Sequence, residues 1–307
     1  MTSLRIHRLE WTGVLMVLIF LGAVAVRLPR IDAAPGDLHP ARQYNAALLA
    51  RAFFIMESPS APQWQKDVAA ANFGMVQRGE PPVMEAVSAR IYRWMGRESF
   101  FVPRSVALFS WLAGGFFLLA IARRFMTPAG RLTALAFYLF LPFSIVMSRS
   151  LQPDAMMVMG ILASAFFTVR YFERPTPTRL LVAGLVAGLV ILIKPGTSQF
   201  AILGLYLLLS LRESGVRNSL VTWRTYAFAA LAVLPTLAYL LFCRVHGIPL
   251  GGFLQSNFVP RFFATLYFWK GWLGLLLKIF GLPALTIGIA GLLFCVSGRG
   301  RLVGIGL

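Results

Sequence analysis

Three polar stretches stand at the ends of long apolar runs, and together they hold the residues best suited to chemistry. The first, GDLHPARQYNAALLAR at 36–51, carries Asp37, His39, Arg42 and Gln43. The second, SRSLQPDA at 148–155, carries Arg149, Gln152 and Asp154. The third is Lys194, just ahead of Pro195. Two carboxylates and several cations converging on one membrane surface suit a particular reaction. A carboxylate can take the proton of a hydroxyl while the cations neutralise a phosphate that leaves.

Each residue also has a plainer reading. Asp37, in Pro35-Gly36-Asp37, fits a turn that caps the next helix. Asp154 follows Pro153 and fits a charge placed on a helix N-terminus. Lys194 fits a lysine that snorkels from a helix end to the interface. Arg42 and Arg149 fit lipid headgroup contacts, and His39 a hydrogen-bonding side chain. With only three histidines and no close His/Cys/acid spacing, the sequence shows no metal site.

The elements that would position these residues are set by composition. The 307 residues are 58% hydrophobic and 13% charged, against about a quarter charged in soluble proteins. This is the composition of a membrane protein. Apolar runs cover Trp11–Val26, Val102–Ala122, Leu132–Met147, Ala155–Val169, Leu180–Ile193, Phe200–Leu211, Tyr226–Phe242 and Trp272–Val296. A spanning helix needs ~20 residues, so some runs must borrow flanking residues. The expected architecture is all-α and polytopic, a single transmembrane module over 1–307 with about eight spans.

The net charge of +18 raises the question of nucleic acid, and its distribution answers no. Arg5 and Arg8 precede the first run. Arg123, Arg124 and Arg131, then Arg170, Arg174 and Arg179, then Arg212, Arg217 and Arg224, and finally Arg299 and Arg301 fill every second short loop. By the positive-inside rule the N-terminus is cytoplasmic, and the loops holding Asp37, Asp154 and Lys194 face outward. The first outward loop, about 27–101, is long. Ala41–Phe54 and Val83–Met95 both read as helices lying in the membrane interface, the second with a Val83, Val87, Ile91 and Trp94 stripe. The stretch Glu57–Pro82 between them reads as a looser, partly mobile middle. Ala23-Val24-Ala25 has the form of a signal-peptidase site. A retained first helix is the reading adopted here. Cys243 and Cys295 fall at opposite ends of neighbouring spans, too far apart for a disulfide, which needs Cα atoms within about 7 Å. Gly184–Val190, GLVAGLV, reads as small-residue helix packing.

The order of these motifs resembles a known pattern. Asp37-Leu-His39-Pro-Ala-Arg42-Gln43, followed by Ala-Leu-Leu-Ala-Arg51, resembles the first outer loop of bacterial membrane glycosyltransferases of the GT-C class. These are relatives of the protein O-mannosyltransferases (family 39) and of the lipid A aminoarabinose transferase. Arg149-Ser-Leu-Gln-Pro153-Asp154 resembles their second-loop signature, and Ile193-Lys194-Pro195 the Lys-Pro after their fifth span. Gly79-Glu80-Pro81-Pro82 resembles their Pro-Pro segment. The resemblance covers roughly residues 10 to 240. It departs from the family at Val83, where an aromatic residue usually follows Pro-Pro, and in ending after about eight spans where relatives continue.

The resemblance implies a hexosyl or pentosyl transferase of the bacterial inner membrane. Its donor would be a polyprenyl-phosphate sugar, its acceptor an extracytoplasmic lipid, glycan or protein, and membrane lipids would surround it. Asp37 would be the general base of an inverting transfer and Asp154 the second acid of the site. Arg42, Arg149 and Lys194 would grip the donor phosphate, with His39 and Gln43 orienting sugar or phosphate groups. Some relatives bind a divalent cation near the first acid, and no residue pattern here requires one. Two competitors stand beside this reading. A transporter or lipid flippase would place ionisable residues at mid-bilayer and show inverted repeats. A catalytically inactive GT-C relative would keep the fold without the reaction.

Overall fold

Pro-bearing loops cut the apolar sequence into helices. In the computed structural model, which describes residues 2–76, 80–248, 250, 260–293 and 297–306, every regular element is helical. Cys295, Gly79 and the side chains of Arg5 and Arg8 lie outside the described residues. The order is α1 (Thr2–Ala25), α2 (Pro40–Met56), α3 (Gln63–Met75), α4 (Val83–Met95), α5 (Phe101–Phe125), α6 (Pro128–Phe140), α7 (Pro142–Met147), α8 (Asp154–Glu173), α9 (Pro177–Ile193), α10 (Ser198–Val221) and α11 (Trp223–Val245). A 3₁₀ turn at Pro260–Ala264 leads to α12 (Leu266–Phe280), α13 (Leu282–Leu293) and α14 (Gly298–Gly306).

Short loops turn the chain by capping. Thr127 accepts a hydrogen bond from the Gly130 amide and Thr176 from the Arg179 amide, each with proline at the start of the next helix. The threonine satisfies an amide that has no helical partner, and the proline gives up an amide that would have had none.

As far as they are described, the eight expected apolar runs lie mostly in helices, but not in eight continuous spans. By length and hydropathy α5, α8 and α11 can cross a membrane alone. The pair α12 and α13 bends by 100° at Gly281, so the expected Trp272–Val296 span is broken. Leu132–Met147 is likewise split between α6 and α7 at Pro142, whose ring cannot continue the helix before it. The apolar part of α1, Trp11–Ala25, and α9 are shorter apolar helices.

At the centre α8 packs against α5 on one side and α9 on the other, and α9 packs against α11. The α5–α6 seam is locked by Trp111 and Tyr138, stacked at 5.0 Å, each donating to the other's carbonyl. The α9–α11 seam depends on glycine, as the GLVAGLV stretch predicts. Pro235 in α11 cannot donate to the Leu231 carbonyl one turn earlier. A Cβ at Gly188 would lie 2.3 Å from that carbonyl oxygen and 3.0 Å from Pro235 Cγ. Gly188→Val is therefore expected to destabilise the fold by about 1–3 kcal/mol, the usual cost of overpacking. Thermal denaturation in detergent measures it, with Gly204→Ala, whose position has open space around it, as the near-neutral control.

The loop after α1 is more ordered than its composition implies. The middle expected to be loose contains α3, whose Ala69 packs on Ala52 and Ile55 of α2, with Phe73 edge-on to Phe53. Pro62 starts that helix, and Ala69, Ala70 and Ala71 favour it. In α4 the buried face is Met84, Glu85, Ser88, Ala89 and Tyr92, and the Val87 and Trp94 stripe faces out. Trp94 is 88% exposed, an arrangement suited to a helix whose outer face meets the bilayer interface.

Candidate active site

The C-terminal ends of α1 and α9 and the N-terminal ends of α2, α4, α5 and α8 meet at one end of the bundle. Asp37 precedes α2, and its side chain is 38% exposed. One carboxylate oxygen accepts from Gln43 Nε2 at 2.7 Å, and the other lies 3.7 Å from a guanidinium nitrogen of Arg104. Gln43 is fully buried and uses all of its amide: Nε2 also donates to the Leu38 carbonyl at 2.7 Å, and Oε1 accepts from the Leu151 amide at 3.0 Å. It thus ties the Asp37 loop to the loop that leads into Asp154. Gln43, expected to orient sugar or phosphate, has its amide engaged within the protein.

Asp154 opens α8. Its Oδ1 accepts from Lys194 Nζ at 2.6 Å, and Oδ2 is buried without a partner. Lys194 caps the end of α9, is 7% exposed, and so does not snorkel. Its ammonium also lies 3.9 Å from Glu80, whose carboxylate is 3.8 Å from Arg42. The result is an alternating chain, Arg42, Glu80, Lys194, Asp154. Arg149 donates to the Pro29 carbonyl, with its Nε buried and unpaired. His39 is exposed, adopts a left-handed backbone at φ 50°, and makes no side-chain cap. Gln152 is buried and reaches Ser150 at 3.0 Å.

Three contributors escape the sequence reading. Arg104 lies within the apolar Val102–Ala122 run, 2% exposed, where any charge is a flag for function. Glu80 belongs to the Pro-Pro motif but was given no role. Arg27 is completely buried and donates to Ser148 Oγ at 2.6 Å and to the carbonyls of Ala23 and Leu139. It fastens the end of α1 to the segment that leads to Arg149.

Burial pushes the Glu80 carboxyl up from its ordinary range, while Lys194 and Arg42 pull it back. Burial pushes Glu85 up to about 7, with the neighbouring Glu80 charge adding to the rise. A raised acid holds its proton more tightly in the fold, so its stabilising contribution is complete below about 4.5 and is lost as pH rises through about 7. The melting temperature is expected to fall between about pH 5 and about pH 8, and Glu85→Gln to flatten that fall.

A divalent cation does not fit this donor set. Asp37 faces Gln43 and Arg104, Asp154 and Glu80 share the Lys194 ammonium, and no group of three metal-ligating side chains occurs among the described residues.

The profile of the dolichyl-phosphate-mannose-protein mannosyltransferase family matches residues 79–239, more than half of the chain. The chain belongs to that family. No curated protein and no solved structure matches it. Membership makes this mannosyltransferase-family chain a membrane glycosyltransferase of the GT-C kind. The matched part includes Glu80, Arg104, Arg149, Asp154 and Lys194; Asp37, His39, Arg42 and Gln43 precede it, and of these Asp37, Arg42 and Gln43 join the site through the contacts above.

Proposed function

We propose that the chain moves a sugar from a polyprenyl-phosphate donor to a hydroxyl of an extracytoplasmic lipid, glycan or protein, with inversion at the sugar carbon. The observation that carries this reading is the gathering of Asp37 with Arg104, and of Asp154 with Lys194, Glu80 and Arg42, at one end of the bundle in a glycosyltransferase family.

Asp37 is the general base, being the acid of the site with the most accessible carboxylate. It takes the acceptor proton as the hydroxyl oxygen attacks the anomeric carbon, and the bond to the phosphate oxygen breaks on the opposite side. The phosphate leaves with the electron pair. Arg42, Arg149 and Lys194 neutralise the charge that grows on it. Arg104 faces the Asp37 carboxylate at 3.7 Å, and Asp154 positions the Lys194 ammonium. Glu80 lies between Arg42 and Lys194, where a second anion would sit, so the donor phosphate displaces it. The lipid tail lies along the apolar helices and the N-terminus is cytoplasmic, in a bacterial inner membrane.

The test is transfer of labelled sugar from a panel of hexosyl and pentosyl polyprenyl phosphates in membranes that contain the full chain. Transfer from one or more donors supports the reading. Donor binding without transfer to any acceptor, lipid or protein, would make the chain a non-catalytic relative.

A further inference from the structure

We propose that the end of the bundle opposite Asp37 and Asp154 carries a second anion site, a cleft that binds a phosphate group of a lipid headgroup or of a free phosphate ion. The cleft encloses about 420 Å³ and is lined by Arg124 and Phe125 at the end of α5, Glu173 at the end of α8, Arg212 and Glu213 of α10, and Arg299 of α14. It lies a full helix away from the candidate active site, because Asp154 opens the 20-residue α8 and Glu173 closes it.

The charges in the cleft are unequal and fixed in place. Arg124 donates to Glu173 at 2.7 Å and to the Ala120 carbonyl, and its guanidinium lies 4.9 Å from the Phe166 ring centroid. Arg299 pairs with Glu213. Arg212 makes no hydrogen bond or ion pair with any described residue, yet its guanidinium is held against Gly298: a Cβ there would lie 2.5 Å from it. Three guanidinium groups therefore face two carboxylates, leaving one forked donor set for an incoming anion. Positive charge at this membrane face is expected from topology alone. Topology does not explain why arginines from α5, α10 and α14 share one cleft with their acids arranged to leave Arg212 unmatched. Basic pockets between helix ends are the sites where anionic headgroups bind, and guanidinium is the group best shaped for phosphate oxygens. The inference does not depend on the transfer reaction.

Native mass spectrometry of the detergent-solubilised full chain tests it, with phosphatidylglycerol, phosphatidylcholine and inorganic phosphate as probes. Phosphatidylglycerol is expected to bind at least about tenfold more tightly than phosphatidylcholine, whose own cation cancels its phosphate. Arg212→Gln is expected to remove that preference, while Arg217→Gln, an arginine of α10 outside the cleft, leaves it. Glu213→Gln keeps every arginine and frees Arg299, so it is expected to tighten binding. Competition by inorganic phosphate assigns the site to free phosphate, and failure to compete assigns it to lipid. Equal binding of the two lipids, or equal losses from Arg212→Gln and Arg217→Gln, overturns the proposal in favour of diffuse surface charge.

Discussion

Replacing Asp37 by asparagine is expected to lower the proposed sugar transfer about a thousandfold, within the range that a positioned general base contributes, while the fold and donor binding persist. The structure makes this a clean substitution. Asparagine keeps a carbonyl oxygen to accept from Gln43 Nε2, which now bonds one carboxylate oxygen at 2.7 Å, so the tie to the second loop survives. What disappears is the charge that Arg104 faces and the capacity to hold a proton. The measurement is initial transfer rate beside donor affinity and melting temperature in the same preparation. A rate unchanged in the variant removes Asp37 from the base role and passes the question to Glu80 or Asp154. A loss of rate that tracks a loss of melting temperature marks a structural residue instead. Asp37→Glu, which retains the charge at a different reach, is expected to recover part of the rate.

Removing the ammonium at position 194 is expected to have the second large effect, on stability as well as on the proposed transfer. Lys194→Met leaves the Asp154 carboxylate facing no cation, with one oxygen already buried and unpartnered. Breaking a buried ion pair on one side costs about 3–5 kcal/mol, because the remaining charge stays desolvated. The double variant Lys194→Met with Asp154→Leu removes both charges and is expected to regain most of that loss without regaining transfer. Chemical denaturation of the three variants gives the cycle. If the double variant is as unstable as the single one, packing around α8 and α9, rather than charge, sets the cost.

Much of the site could be read from the sequence because each outward loop carries its chemistry within a few residues. Asp37, Arg42, Asp154 and Lys194 were placed at one surface by counting apolar runs, and they do converge. The roles within the group were harder to see, since they depend on pairs far apart in the chain. Gln43 meets the Leu151 amide and Arg27 meets Ser148 across more than a hundred residues. No local pattern distinguishes a glutamine that touches a ligand from one that ties two loops. Arg104 was hidden in an apolar run whose overall hydropathy outweighed a single charge. Span counting did not foresee the breaks at Pro142 and Gly281, where an apolar stretch is long enough in residues but not one continuous helix. The α3 helix was passed over because prolines and glutamines around it suggested a loose chain, while its alanines favour helix and its Ala69 packs into α2.

The close seam between α9 and α11 bears on how the site can move. Gly188 lies against a carbonyl that Pro235 has freed, and Gly184 meets Leu231 nearby, so the two backbones have little room to slide. Lys194, at the end of α9, is in mechanical terms mounted on a stiff post. Glu80 itself is held by charges 3.8 and 3.9 Å away. In the proposed transfer, where the donor phosphate displaces Glu80, the ammonium is the fixed jaw and the carboxylate the one that gives way.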